Sequence, residues 1–264
     1  MMSPNQNGLS ALSAIREAFG QADAYTEHAQ VQRLVAERLA GRIALSVRAP
    51  DMLELGCGTG LLSAHLHRRW PLGSLLCSDL SAPMVQRCRT TLAPSSSERL
   101  HFAVLDGENP PFIGEQFDLI AASMVMQWFA QPCVALRRYH ALLRPGGSIA
   151  MATLAPGTFH EWQSACQAAG VVHGLHRYPS ASAWQAAWPS PADCVLEEEE
   201  ITVQHASGLD FLRGLRAIGA HLPVPGYRPN SAGEMRRILR SLTGPHGVSV
   251  TYVVLYGIFN KKIR

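Results

Sequence analysis

Three short strings in the chain place acids and glycines where a nucleoside-bearing ligand could be held. Leu53-Glu54-Leu55-Gly56-Cys57-Gly58-Thr59-Gly60 carries a glycine at every second position. Such a loop turns sharply and admits a ligand without a Cβ in its way. Its G-x-G-x-G spacing differs from the dinucleotide G-x-G-x-x-G, and no lysine follows Gly60 as a phosphate loop requires. Nineteen residues after Gly60 stands Asp79, a carboxylate placed to accept both hydroxyls of a ribose. The third string, Leu105-Asp106-Gly107-Glu108, sets Asp106 where it can accept a hydrogen bond from an adenine amino group. On these residues alone, a sheet that binds another nucleotide, or none, stays open.

The elements that position these strings follow from the apolar pattern. Met52–Leu55 reads as a first strand, and Leu61–Arg69 as the helix after the glycine loop. Ser74–Cys77 is a second strand ending at Asp79, with Ser81 as cap and Pro83 in the first turn of the next helix. His101–Leu105 and Phe117–Ser123 are the third and fourth strands. Cys133–Leu143 is a helix stopping before Pro145-Gly146-Gly147, and Ser148–Thr153 is a fifth strand. Short apolar runs alternating with helical stretches from Pro50 onward are the βαβ signature of a parallel sheet. Asp118 reads as a strand-start residue satisfied by local backbone. Before Pro50, residues 9–45 are helical in composition. After Leu154 come helices over Thr158–Ala169 and near Ala183–Trp188, joined by the turn-rich link His173–Ser180. Cys194–Val203 is a strand whose run Glu197–Glu200 suits a solvated sheet edge. Ser231-x-x-Glu234 opens a helix to Leu242 as a capping box, and Val248–Phe259 is the last strand.

The combined pattern over residues 51–153 resembles the class I S-adenosylmethionine (SAM)-dependent methyltransferases, including Phe117-Asp118-Leu119-Ile120 and Leu143-Arg144-Pro145-Gly146-Gly147. The resemblance implies a Rossmann-like α/β fold, a mostly parallel seven-stranded sheet with helices on both faces and a helical cap. It divides the chain into an N-terminal cap segment at 1–48, a SAM-binding core at 49–154 and an inserted lid at 155–190. Residues 191–264 then complete the domain. It further implies that Glu54, Gly56, Gly58 and Gly60 hold the methionine part of SAM, Asp79 the ribose and Asp106 the adenine. Cys57, Leu80, Met84, Gly107 and Ser123 are placed at the cofactor as well.

No general base is advertised. The string after strand four, Ser123-Met124-Val125-Met126-Gln127-Trp128-Phe129, is apolar and aromatic. A carboxylate acceptor, already ionised at neutral pH, needs only capture and alignment, so no catalytic residue is assigned. Ala18-Phe19-Gly20, Tyr25-Thr26-Glu27-His28-Ala29, Val125-Met126-Gln127-Trp128, Leu215–Ala220 and Thr251-Tyr252 extend the likeness over nearly the whole chain. With them the chain is similar to the malonyl-acyl carrier protein O-methyltransferases of biotin synthesis. That resemblance implies methyl esterification of a malonyl thioester. Tyr25, Trp128, Arg177 and Tyr178 are its candidate acceptor-side residues, with Arg177 for the carboxylate. Tyr25 closes over the ligands or packs an amphipathic helix; both readings stay open.

Composition bounds the remaining partners. At 264 residues, 47% hydrophobic and 16% charged, the chain is long and apolar enough for a sizeable core and unlike a disordered one. A net charge of +3 does not call for nucleic acid. No stretch approaches the 18–20 apolar residues of a membrane span, and no secretion signal is indicated. Six cysteines without a C-x-x-C pair read as free thiols, and the chain is expected to be cytoplasmic and monomeric. His173 and His176 have no evident third metal ligand, and Trp162, Trp184 and Trp188 are expected to pack the cap. An acidic carrier would need basic residues to dock. Arg137-Arg138, Arg236-Arg237 with Arg240, and Lys261-Lys262 are the candidates, each equally readable as solvated surface.

Overall fold

In a computed structural model, the described residues are 4–21, 29–95, 98–224, 226–245 and 247–263. Strands β1 (Asp51–Leu55), β2 (Ser74–Asp79), β3 (Leu100–Val104), β4 (Phe117–Ser123), β5 (Leu143–Leu154), β6 (Cys194–His205) and β7 (Val248–Asn260) form one sheet in the order β3-β2-β1-β4-β5-β7-β6. The pairs from β3 through β5 are parallel. β1 and β4, central in this run, are near-continuous buried segments, as strands covered on both faces must be. The chain order reverses between β1 and β4, so a crevice opens at their carboxyl ends, where α/β sheets bind ligands.

Helices α3 (Leu61–Arg69), α4 (Ala82–Leu92) and α5 (Pro132–Leu142) follow β1, β2 and β4. Helix α2 (Gln30–Arg42) buries Val31, Val35, Ala36 and Leu39 on one stripe and packs on α3 and β4. The chain divides into two compact units. One comprises Ala29–Thr153, Pro179–Glu198 and Leu255–Arg264; the other comprises Met1–His28, Leu154–Tyr178 and Glu199–Val254. The expected 155–190 segment is therefore shared between them, with α6 (His160–Ala168) in the second and α7 (Ala181–Ala187) in the first. The second unit also holds α1 (Pro4–Gly20), α8 (Gly208–Ala217) and α9 (Ala232–Leu242).

Several expectations change in detail. Within the helical stretch over 9–45, α1 ends at Gly20 and α2 runs from Gln30 to Arg42, and residues 22–28 lie outside the described residues. Ser81 sits at the start of α4, but its side chain makes no capping bond. Asp118 is not satisfied locally. It accepts the Asp51 N–H at 2.8 Å and the Arg144 guanidinium at 2.8 Å, tying β4 to β1 and β5. β5 begins five residues early, because Gly146 and Gly147 exchange backbone bonds with Lys261 and join the ladder. Trp184 and Trp188 are buried in the first unit, Trp188 between His140 and Phe259, rather than in a cap. β6 is the sheet edge, and Glu197 pairs there with Arg42 at 2.9 Å.

Candidate active site

The loops after β1, β2, β3 and β4 lie on four successive sheet strands and carry the acids and glycines singled out above. Gly56, Gly58 and Gly60 all have left-handed backbones, with φ of 66°, 53° and 91°. A Cβ on Gly56 would lie 2.5 Å from Val125 Cγ2, so only glycine fits there. Asp79 organises this loop. Its Oδ2 accepts the Gly58 N–H at 3.0 Å and its Oδ1 the Ser81 N–H at 2.9 Å. Burial raises the Asp79 pKa, and those two backbone bonds counteract it. Glu54, at the end of β1, is 1% exposed, and its Oε2 has no hydrogen-bond partner. Burial pushes its pKa well above the carboxylate range, with Ser63 opposing.

Beyond β3, Asp106 accepts the Glu108 N–H at 2.9 Å and the Asn109 side-chain amide at 2.8 Å. Glu108 is buried and accepts the N–H groups of Ala130 and Gln131 at 3.0 and 2.7 Å, fixing the entry to α5. After β4, Met124 is held at φ 56°, uncommon for a residue with a side chain. Gln127 braces that turn, donating to the Met124 carbonyl at 2.8 Å and accepting from the Thr153 hydroxyl at 3.2 Å. Trp128, half-buried, follows in the same turn.

The likeness to known proteins follows this geometry. A methyltransferase-domain family matches residues 52–147. A malonyl-acyl carrier protein O-methyltransferase of Magnetococcus marinus is 44% identical over 262 residues, covering 98% of this chain and 96% of that protein. The chain belongs to that methyltransferase family. A biotin biosynthesis bifunctional protein of Bordetella avium is 38% identical over 91% of this chain and 50% of its own length. Among solved structures, a putative methyltransferase of Bacillus halodurans has a TM-score of 0.63 at 13% identity, covering 86% of this chain and 98% of that one, which shows the shared fold.

As a SAM-dependent methyltransferase, the chain must accommodate a cationic sulfonium and an ammonium beside a ribose and an adenine. The residues fit that ligand. The buried Glu54 carboxyl has an orphaned oxygen, and Thr59 and Ser81 each have a buried hydroxyl without a partner in the same loops. Such atoms occur elsewhere in the chain too; what fits the ligand is that three of them fall at the end of β1 and in the loops after β1 and β2. Two acids and a cradle closed to any Cβ suit a cationic ligand pressed against backbone.

Sequence reasoning missed Ser63, Glu108 and Gln127. Glu108 was within a quoted string, but its bonds reach residues more than twenty positions away and leave no local signature. The loop also covers three buried thiols, Cys57, Cys77 and Cys88. Hydrogen bonds to Cys88 push the thiols of Cys57 and Cys77 up, with burial adding to it.

Tyr25 lies outside the described residues. Arg177 and Tyr178 belong to the other compact unit, Arg177 exposed and Tyr178 half-buried. Burial raises the Tyr178 pKa to about 12, so its phenol is a hydrogen-bond donor at neutral pH. The Leu175 N–H donates to His173, and His176 Nε2 bonds with the Leu222 carbonyl. Among the described residues, no group of three or more His, Cys, Asp or Glu side chains is placed to hold a metal ion.

Proposed function

We propose that the chain transfers the methyl group of SAM to the free carboxylate of a malonyl thioester borne by acyl carrier protein, giving the methyl ester used in biotin synthesis. The observation that carries this reading is the 44% identity to a protein of that name over nearly the full length of both chains.

SAM supplies an electrophilic methyl group. Glu54, Cys57 and the glycines of the loop hold its methionine part, with Ser123 beside it. Asp79, Leu80 and Met84 hold the ribose side, and Asp106 with Gly107 the adenine. Asp79 serves two ends, since the bonds that fix the loop come from the same carboxylate. Displacement at the methyl must be in line, so the protein contributes alignment and exclusion of water. Met84 is fully buried and Ser123 and Trp128 half-buried. The malonyl carboxylate is ionised at neutral pH and needs no base.

We assign the acceptor carboxylate to Arg177, with Tyr178 as a donor beside it and Tyr25 and Trp128 as further contacts. Its guanidinium is exposed and makes no ion pair among the described residues, which leaves its planar fork available. A cytoplasmic monomer belongs to the same proposal, the compartment supported by six free cysteines. Among the described residues, no helix is long and apolar enough to cross a membrane. The test is incubation with methyl-labelled SAM and malonyl-acyl carrier protein. A base-labile labelled ester on the carrier is expected, and its absence at saturating substrates overturns the reading.

A further inference from the structure

An acidic carrier must meet basic groups, and the three basic clusters of the chain are not equally available. Lys261 is buried, with Nζ donating to Glu115 at 2.8 Å and to the carbonyls of His140 and Leu143. Lys262 pairs with Asp193 at 3.3 Å. Arg138 donates to the Glu108 carbonyl and to Asn109 Oδ1. Helix α9 differs. Arg236, Arg237 and Arg240 are exposed and fall within about 100° of arc at 3.6 residues per turn, opposite the buried Ile238. None of the three makes a hydrogen bond or ion pair with a described residue; Arg237 and Arg228 act only through space on Glu234.

The basic face continues before the helix. Exposed Arg228 lines a cavity of about 480 Å³ together with Tyr227, Glu234 and Val172, the last an apolar side chain 77% exposed. Residues 226–242 hold four arginines against one glutamate, a local excess equal to the net +3 of the whole chain. A complete capping box, Ser231 N–H to Glu234 at 2.6 Å and Glu234 N–H to Ser231 at 3.3 Å, fixes the start of the helix. The arginines therefore stand on a defined element.

We propose that the arginine face of α9, extended by Arg228, is the docking surface for the acidic carrier protein that bears the malonyl group. This rests on the substrate reading above. Arginines at the rim steer and orient the carrier, and Val172 with the cavity at the foot of the helix supplies an apolar contact.

The test uses the full chain with Arg236→Glu, Arg237→Glu and Arg240→Glu combined, beside a comparison variant carrying Arg137→Glu and Lys262→Glu. Carrier binding is followed by fluorescence anisotropy across a salt series, SAM binding by calorimetry and folding by thermal melting. The α9 variant should bind the carrier about tenfold or more weakly at low salt, with a flattened salt dependence. Its SAM affinity and melting should be unchanged, and the comparison variant should bind the carrier as wild type does. Carrier binding by the α9 variant within twofold of wild type, or an equal loss in the comparison variant, overturns the proposal. Carrier binding that depends on α9 without ester formation supports the docking face and removes the substrate reading. Methylation of malonyl-CoA with no carrier binding overturns the docking face and moves the malonyl thioester of the substrate reading from the carrier to CoA.

Discussion

Replacing Glu54 by glutamine separates what this carboxylate costs the fold from what it gives the ligand. Glu54 is 1% exposed, has an unpartnered oxygen, and is pushed by burial well above the ordinary carboxylate pKa. With a raised folded-state pKa, the stability from this group is fully present below the unfolded value of roughly 4.3. It is lost as pH rises through the folded value. Glu54→Gln keeps the shape and removes the charge, so the ligand-free variant should be the more stable at neutral pH. An under-satisfied buried polar group costs about 1–3 kcal/mol, and the amide still carries part of that cost, so a gain of about 1–2 kcal/mol is expected. At about 2–4 °C per kcal/mol for a chain near this size, melting should rise by several degrees at about pH 7.5. The gain should shrink toward about pH 5. SAM affinity moves the other way: losing a charge-assisted contact costs about 1.5–3 kcal/mol, on the order of tenfold to a hundredfold in Kd. Melting at both pH values and calorimetric SAM titration read the two effects separately. A variant that melts lower than wild type at both pH values refutes the cost, and unchanged SAM affinity refutes the placement of Glu54 at the cationic part of the ligand.

Asp79→Ala should weaken SAM binding by about 2–3 kcal/mol in calorimetry, since it removes a charged acceptor and releases the Gly58 and Ser81 N–H groups. Unchanged affinity would place the ribose elsewhere. Gly56→Ala puts a Cβ 2.5 Å from Val125 Cγ2 at φ 66°. The left-handed backbone alone costs about 1–2 kcal/mol. Adding Val125→Gly removes the Val125 Cβ at 2.7 Å as well as Cγ2 and should relieve the clash but not that cost, so melting of the double variant should recover only in part. Glu108→Ala strips the Ala130 and Gln131 N–H groups of their acceptor and should lower stability by about 1–3 kcal/mol in denaturant unfolding, with Glu108→Gln recovering part. Arg177→Ala should raise KM for the malonyl substrate with SAM affinity unchanged; an unchanged KM would move the acceptor carboxylate to another residue.

The parallel half of the fold was legible because its signals are local. Gly56, Gly58 and Gly60 announce a strand-to-helix turn, and Asp79 falls where the second strand must end. What escaped was long-range. Asp118 looked like a strand-start acid with local partners, yet its partners sit on β1 and β5. Ser81 and Pro83 both favour a helix start, yet the Ser81 hydroxyl makes no capping bond and has no partner. For the cofactor, the sequence named acids by position; only burial shows that Glu54 is held at a cost.

That cost suggests how the chain distributes its charge. In the proposed assignment SAM is cationic where it meets Glu54, so any arginine near the ends of β1 and β2 would compete for Glu54 and Asp79. The substrate has the opposite demand, since its carboxylate is anionic and its carrier acidic. Among 23 Lys and Arg and 20 Asp and Glu, the excess of positive charge is accounted for by residues 226–242, leaving the rest balanced. The acids proposed for the donor follow β1 to β3, whereas the arginines of α9, without an ion pair among the described residues, belong to a different compact unit. With each set assigned to its own ligand, their effects are separable: salt should weaken carrier binding steeply, through exposed charges, while SAM affinity should respond far less.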